Sequence, residues 1–168
     1  MMHEFQSDDK QFGIRVSDEN LMHFKILCTK YSTRETGGIL IGHYSPDLHW
    51  AEIDEITGPP QDSIHRATTF IRGKHSILSK LDKLWHREEY YLGEWHYHPN
   101  ASPLPSATDK QTMFAISKSK ELFCPEPILI IVGNLNLSWQ LHVSVFVGNS
   151  EIVLKETPLK QPQEVFGL

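Results

Sequence analysis

Apolar residues recur at helical spacing in three segments of the chain. In the first segment, Leu21, Phe24 and Cys28 lie about one turn apart, and Ser17 precedes them in the position of an N-cap. Because one face of an α-helix returns every 3.6 residues, this spacing predicts an amphipathic helix over residues 17–30. The same periodicity predicts two more helices, over residues 74–89 and 106–119. The second helix is expected to bury one stripe, made of Ile77, Leu78, Leu81, Leu84 and Trp85.

Other segments show the apolar patterns of β-strands. Residues 38–42 are apolar on both faces, which is typical of a central strand in a covered sheet. Residues 50–56 alternate and place Ile53 and Ile56 in the core. Further strands are predicted over residues 13–16, 90–98, 128–133, 137–147 and 152–155. Strands and helices mix without strict alternation, so the predicted fold class is a single α/β domain with a central mixed β-sheet flanked by helices.

Two segments carry no periodic pattern. Residues 58–73 open with Gly-Pro-Pro and form a long connection, which in a compact domain is often functional. The C-terminal segment is rich in Pro and Gln. The domain is therefore expected to span residues 1–156, with residues 157–168 forming a flexible tail.

Composition and charge narrow the function classes. Of 168 residues, 39% are apolar and 22% are charged, which is enough for a core and argues against disorder. The net charge of −5 does not suit a general nucleic-acid binder. Cys28 and Cys124 lie far apart and are expected to be reduced, buried thiols. With no signal peptide at residues 1–9 and no long apolar run, a cytoplasmic protein with no membrane partner is expected.

The candidate chemistry lies where the 90–98 strand meets the following helix. His96 and His98 are two residues apart, so a β-strand presents both imidazoles on one face. Asp109, one turn into the next helix, can return a carboxylate to the tip of that strand. Two His and one carboxylate leave a fourth position open, which is typical of catalytic rather than structural zinc.

Each of these residues also has an ordinary structural interpretation. The chain contains ten His, so one His-x-His on a strand can arise by chance. Ser106 and Asp109 have the spacing of a capping box, which is compatible with Asp109 also facing a metal. Glu35, at the entrance to the 38–42 strand, can be a solvated loop acid, and the glycines after it can serve close packing.

Taken together, these motifs resemble the JAMM/MPN-plus (JAB) metalloprotease family. The segment His96-Tyr97-His98-Pro99, six further residues, Ser106 and Asp109 match the family's main motif without a gap. Glu35 and the strand Thr36-Gly37-Gly38-Ile39-Leu40-Ile41-Gly42 match its first motif. The resemblance covers residues 13–147 and is closest to short bacterial JAB proteins, which have a cytidine-deaminase-like fold.

The resemblance implies a zinc enzyme with assigned roles. His96, His98 and Asp109 would hold one Zn2+, Glu35 would act as general base, and Ser106 would support the reacting oxygen. Trp95 and Tyr97 alternate with the His residues and are expected in the core. Such enzymes cut after the C-terminus of a ubiquitin-like or conjugated protein, and residues 58–73 would either grip its extended tail or form an ordinary mobile connection.

Within the family, the chain resembles the isopeptidases of anti-phage CBASS operons. These are expected to release a cyclic-nucleotide synthase, which is a nucleotidyltransferase, from conjugates made by a partner ligase. Two alternatives stay open: a peptidase that processes a sulfur-carrier or ubiquitin-like precursor, and a non-catalytic scaffold. A nucleotide deaminase is excluded, since the chain lacks His-x-Glu followed by Pro-Cys-x-x-Cys.

Overall fold

A computed structural model describes residues 1–158, and within them it contains ten strands and three α-helices. The strands are β1 Met2–Gln6, β2 Gly13–Ser17, β3 Thr36–Tyr44, β4 Trp50–Ile56, β5 Ile64–His65, β6 Phe70–Ile71, β7 Tyr90–His98, β8 Ile128–Gly133, β9 Gln140–Val147 and β10 Ser150–Glu156. The helices are α1 Asp18–Tyr31, α2 Ile77–Trp85 and α3 Ala107–Ser117, and Leu135–Leu137 forms a 3-10 turn. None of the described helices has the length and apolar character needed to span a membrane. Most of the predicted tail, residues 159–168, lies outside the described residues.

Eight strands form one mixed sheet, in the order β1-β10-β9-β8-β7-β3-β4-β2. The β2–β4 and β7–β8 pairs are parallel and the other pairs are antiparallel, which confirms a mixed sheet. The prediction of a sheet layer flanked by helices is wrong in one respect, because the sheet closes into a barrel. Strand β1, which was not predicted, closes it by pairing with both β2 and β10. In β1 only Phe5 is buried, so this strand lacks the alternating apolar pattern that would reveal it.

The core lies on both faces of the closed sheet. The inner cluster draws on strands all around the barrel, and α1 contributes Phe24 and Cys28 to it. Phe24 meets Trp95 edge to face, with ring centroids 5.1 Å apart. On the outer face, α2 and α3 pack against β3, β7, β8 and β9. Both cysteines are buried and free, as predicted.

Helix α2 is shorter than predicted and buries less of its apolar surface. Ile77 and Leu84, seven residues apart, lie on one line of the helix and are buried. Leu78 and Trp85 lie one position farther along, about 100° around the helix axis. They are 54% and 60% exposed, so the prediction of a single buried stripe is wrong for these two side chains.

A β-bulge in β7 decides which side chains face outward near its C-terminal end. The pairing of β3 with β7 shifts between Leu40–Gly93 and Ile41–Tyr91, which leaves Leu92 as the extra residue. Before the bulge Tyr91 faces the outer cluster, and after it Trp95 faces the inner cluster. The bulge thus reverses which face the odd- and even-numbered residues of β7 point to. After it, the even-numbered residues point outward.

Gly93 is required at this bulge, which gives a testable consequence. Its φ is +151°, and an added Cβ would lie 1.9 Å from the carbonyl oxygen of Ile128. We expect Gly93→Ala to lower the free energy of unfolding, measured by urea denaturation, by at least about 2 kcal/mol. Gly148→Ala is the control, since Gly148 also has a positive φ of +61° but nothing within 4 Å. It should cost only about 1 kcal/mol, and equal losses in the two variants would contradict this role of Gly93.

His3 makes a pH-dependent contribution to the stability of the closed barrel. Its Nδ1 lies 2.8 Å from Oε1 of Glu156 and its Nε2 lies 2.8 Å from Oδ1 of Asp18. These hydrogen bonds, first with Glu156 and then with Asp18, raise the pKa of His3 above its usual 6.5. Because the folded-state pKa is the higher one, the stabilisation is complete below about pH 6.5 and is lost as the pH rises through the folded pKa.

We therefore expect the stability difference between the wild-type protein and His3→Gln to shrink as the pH rises from about 6 to 8. Urea denaturation at several pH values measures this difference. A difference that stays constant or grows across that range would show that His3 does not contribute through its charge.

Candidate metal centre and active site

The C-terminal end of β7 presents two imidazoles on its outer face. Because the bulge at Gly93 determines which face each later residue of β7 points to, His96 and His98 point outward while Trp95 and Tyr97 point inward. Trp95 and Tyr97 are 0% and 1% exposed, which confirms that both belong to the core. The end of the strand that bears the two candidate ligands is thus held by two large side chains packed behind it.

Helix α3 begins opposite this strand end and carries the carboxylate. Ser106 is the N-cap: its Oγ accepts the backbone N–H of Asp109 at 3.1 Å. Oδ2 of Asp109 accepts the backbone N–H of Ser106 at 2.7 Å, which completes a capping box. The structural interpretation of this pair is therefore confirmed, and it fixes the position of the Asp109 side chain.

The same carboxylate also meets both imidazoles. Nδ1 of His96 lies 3.0 Å from Oδ1 of Asp109, and Nε2 of His98 lies 3.7 Å from Oδ2. His96 and Asp109 are only 7% and 9% exposed. The structure thus brings together His96, His98 and Asp109, from two different elements, in a largely buried position.

The ionisation of these groups is shifted by their surroundings. Burial opposes the charged form of Asp109, but hydrogen bonds from His96 and Ser106 outweigh it and hold the pKa of Asp109 below its usual range. Burial also lowers the pKa of His98, against the opposing attraction of Asp109. A carboxylate beside a neutral imidazole is the protonation state in which such groups can bind a cation.

Glu35 lies in the segment that joins α1 to β3, close enough to Asp109 and His96 to interact with their charges. Burial, reinforced by the negative charge of Asp109, raises the pKa of Glu35 to about 7, while His96 acts in the opposite direction. A carboxyl with a pKa near neutrality can both accept and return a proton at physiological pH.

Gly37, two residues after Glu35, packs closely against β7. A Cβ on Gly37 would lie 2.3 Å from the carbonyl oxygen of Trp95 and 2.9 Å from Cδ2 of His96. Any side chain there would push against the His96 ring. The close-packing interpretation of this glycine is confirmed, and the packing partner is one of the candidate ligands.

The donor set can be compared with what zinc requires. Catalytic zinc is held by three protein ligands of the imidazole and carboxylate types, and these three side chains supply that set. His96 contacts Asp109 directly, and within residues 1–158 no three His, Cys, Asp or Glu side chains have the spacing of a formed metal site. The residues fit zinc by donor chemistry.

The structure adds residues that the sequence did not single out. The connection over residues 58–73 contains a hairpin of β5 and β6, here called the β5–β6 hairpin. Nδ1 of His65 lies 3.0 Å from the carbonyl oxygen of Glu35, and the Phe70 ring stands edge-on to His96 at 5.6 Å. No local signal identifies His65, because its partner lies 30 residues away in the sequence.

Arg72 and Glu94 form a second unpredicted contact. Nε of Arg72 donates to both carboxylate oxygens of Glu94, at 2.8 and 2.6 Å, and Tyr91 donates to Oε1 at 2.7 Å. Glu94 is 1% exposed, so this charge is buried and fully paired. The contact joins the end of the β5–β6 hairpin to β7, on the face that carries His96.

Comparison with known proteins now adds to this geometry. Residues 27–142 match the family model described as prokaryotic homologs of the JAB domain. A protein of Enterobacter hormaechei subsp. hoffmannii (strain UCI 50), named CD-NTase/cGAS isopeptidase, is 39% identical over 154 residues, which is 90% of this chain and 86% of that protein. The probable metalloprotease y4qB of Sinorhizobium fredii is 30% identical over 118 residues, covering 68% of this chain and 71% of that protein.

A solved structure shares the fold. The solution structure of protein DSY2949 from Desulfitobacterium hafniense aligns with a TM-score of 0.59 over 84% of this chain and 87% of that chain, at 14% identity. At that identity the likeness concerns the fold alone. The family match spans more than half of the chain and the Enterobacter relative spans most of it, so the resemblance seen in the motifs is confirmed: the chain belongs to the bacterial JAB-domain family.

Proposed function

We propose that this chain is a zinc-dependent isopeptidase that hydrolyses the bond after the C-terminus of a conjugated protein. The observation that carries the proposal is the meeting of His96, His98 and Asp109 beside the half-buried carboxyl of Glu35. An acid–base group next to two imidazoles and a carboxylate is the arrangement that metal-assisted hydrolysis of an amide requires.

In this proposal, His96, His98 and Asp109 would hold the zinc. When bound, zinc supplies Lewis acidity for the scissile carbonyl and the attacking water. The Glu35 carboxylate takes one proton from that water and later returns it to the leaving amine. The amide C–N bond breaks, water supplies the new C–O bond, and no covalent enzyme intermediate forms.

Ser106 would donate its O–H to the developing oxyanion, while its Oγ accepts a hydrogen bond from the N–H of Asp109. One such donor typically lowers the barrier by about 3 kcal/mol. Cys28 and Cys124 take no part in the proposed reaction, because burial raises the pKa of each thiol to about 12.

The Enterobacter relative supplies the substrate class. Its name refers to a CD-NTase/cGAS, and its alignment covers 90% of this chain. We infer that the substrate here is likewise a nucleotidyltransferase joined through its C-terminus by a partner ligase, in anti-phage defence. The extended tail would add as a strand to the β5–β6 hairpin, where Ile64 and Ile71 are 44% and 52% exposed.

The proposal predicts that metal binding and turnover respond differently to changes at Glu35. Glu35→Gln should keep the zinc content of the wild-type protein, because Glu35 is not a proposed ligand. It should reduce hydrolysis of a nucleotidyltransferase–GFP fusion, joined at the nucleotidyltransferase C-terminus, by about 10²-fold or more. Metal analysis and gel-based cleavage rates measure the two quantities.

Glu121→Gln is the matched control, because Glu121 is exposed and lies in the connection after α3. It should leave both quantities unchanged. Full turnover by Glu35→Gln would overturn the assignment of the general base, whereas an absence of hydrolysis by the wild-type protein would favour the scaffold alternative.

A further inference from the structure

The proposed general base has no regular secondary structure to hold it. Glu35 lies between the end of α1 at Tyr31 and the start of β3 at Thr36. A general base acts only when it lies within about 2.6–3.2 Å of the proton that it removes. Contacts from other parts of the chain must therefore set its position.

The β5–β6 hairpin holds the backbone of Glu35 on both sides. The N–H of Glu35 donates to the carbonyl oxygen of Arg66 at 2.7 Å. The carbonyl oxygen of Glu35 lies 3.0 Å from Nδ1 of His65. Because a carbonyl can only accept, Nδ1 of His65 must carry the proton and donate it.

The His65 ring is itself held by aromatic neighbours. It stacks on Tyr31, with centroids 4.3 Å apart and planes 15° from parallel. The ring centroid of Phe70 lies 5.2 Å from that of His65, and the Phe70 ring stands edge-on to His96 at 5.6 Å. A continuous row of four rings thus connects the end of α1, through the hairpin, to a proposed metal ligand.

The other end of the hairpin is fixed to the strand of the metal ligands. Arg72 follows β6 directly and pairs with buried Glu94, which is two residues before His96 on the same face of β7. The hairpin is therefore attached at one arm to Glu35 and at the other to β7. Because the hairpin contacts both Glu35 and β7, it can set the distance between them.

We propose that the β5–β6 hairpin sets the position of Glu35 relative to the metal-ligand strand, and that His65 is the positioning residue of this device. The inference rests on the proposed function and assigns the hairpin a role besides gripping the substrate tail. His65 acts through the backbone of Glu35 and does not touch the reacting atoms. A displacement of about 1 Å at a catalytic group can cost on the order of 10²-fold in rate.

The test is His65→Phe, which keeps a ring between Tyr31 and Phe70 but removes the donor to Glu35. On the nucleotidyltransferase–GFP fusion, kcat should fall by about 10- to 100-fold, while KM stays within about twofold and zinc content is unchanged. His65→Asn places an amide N–H near the position of Nδ1 and should recover most of the lost kcat. His65→Ala, which removes the donor without added bulk, should behave as His65→Phe does and replaces it should the Phe variant not fold.

His75→Phe is the matched control, because His75 is an exposed histidine in the same stretch of chain, and it should leave kcat unchanged. Wild-type kcat in both His65→Phe and His65→Ala would overturn the inference, as would a rise in KM with constant kcat, which would indicate a substrate-binding role alone. Failure of the proposed function gives a different result, since the wild-type protein would then not hydrolyse the fusion, or Glu35→Gln would hydrolyse it at the wild-type rate, whatever happens at His65.

Discussion

The carboxylate of Asp109 joins the two elements on which the candidate site depends. It closes the capping box of α3 with Ser106 and at the same time meets His96 and His98 at the end of β7. The negative charge thus accepts hydrogen bonds at the helix N-terminus and from His96, and this explains why Asp109 stays ionised although it is buried. Moving α3 relative to β7 would break the contacts with the imidazoles, so the position of the helix and the geometry of the proposed ligands are coupled.

The second constraint is the face of β7 to which each side chain points. Without the extra residue at the bulge, the side chains that follow Gly93 would exchange faces. The imidazoles would then point into the core, and Trp95 and Tyr97 would point toward α3. The glycine that permits the bulge therefore positions the proposed ligands, although it lies three residues away from the first of them.

Local patterns explain how much the sequence could predict. The spacing of His96 and His98 and the N-cap spacing of Ser106 and Asp109 depend on one strand and one helix start, so their neighbours can be inferred from periodicity. Core positions such as Trp95 follow from the same alternation. The motif order then allowed the family to be recognised, and the comparisons confirm it.

Features that depend on distant partners could not be predicted in this way. Barrel closure requires β1 to pair with β10, although its sequence is mostly polar. The His65–Glu35 and Arg72–Glu94 contacts join residues 30 and 22 positions apart, and neither has a sequence pattern. The exposed position of Trp85 depends on which side of a short helix the sheet covers. In each case the missing information is the tertiary neighbour, which periodicity does not contain.

The central claim is that one divalent ion is held jointly by the strand end and the helix start. A crystal structure of the zinc-loaded protein, with anomalous data collected at the zinc absorption edge, tests it most directly. The account predicts one anomalous peak per chain, bonded to His96, His98 and Asp109 at about 2.0–2.2 Å, with Glu35 close by and not bonded to it. A peak elsewhere, or these three side chains turned away from one another around an empty centre, would contradict it.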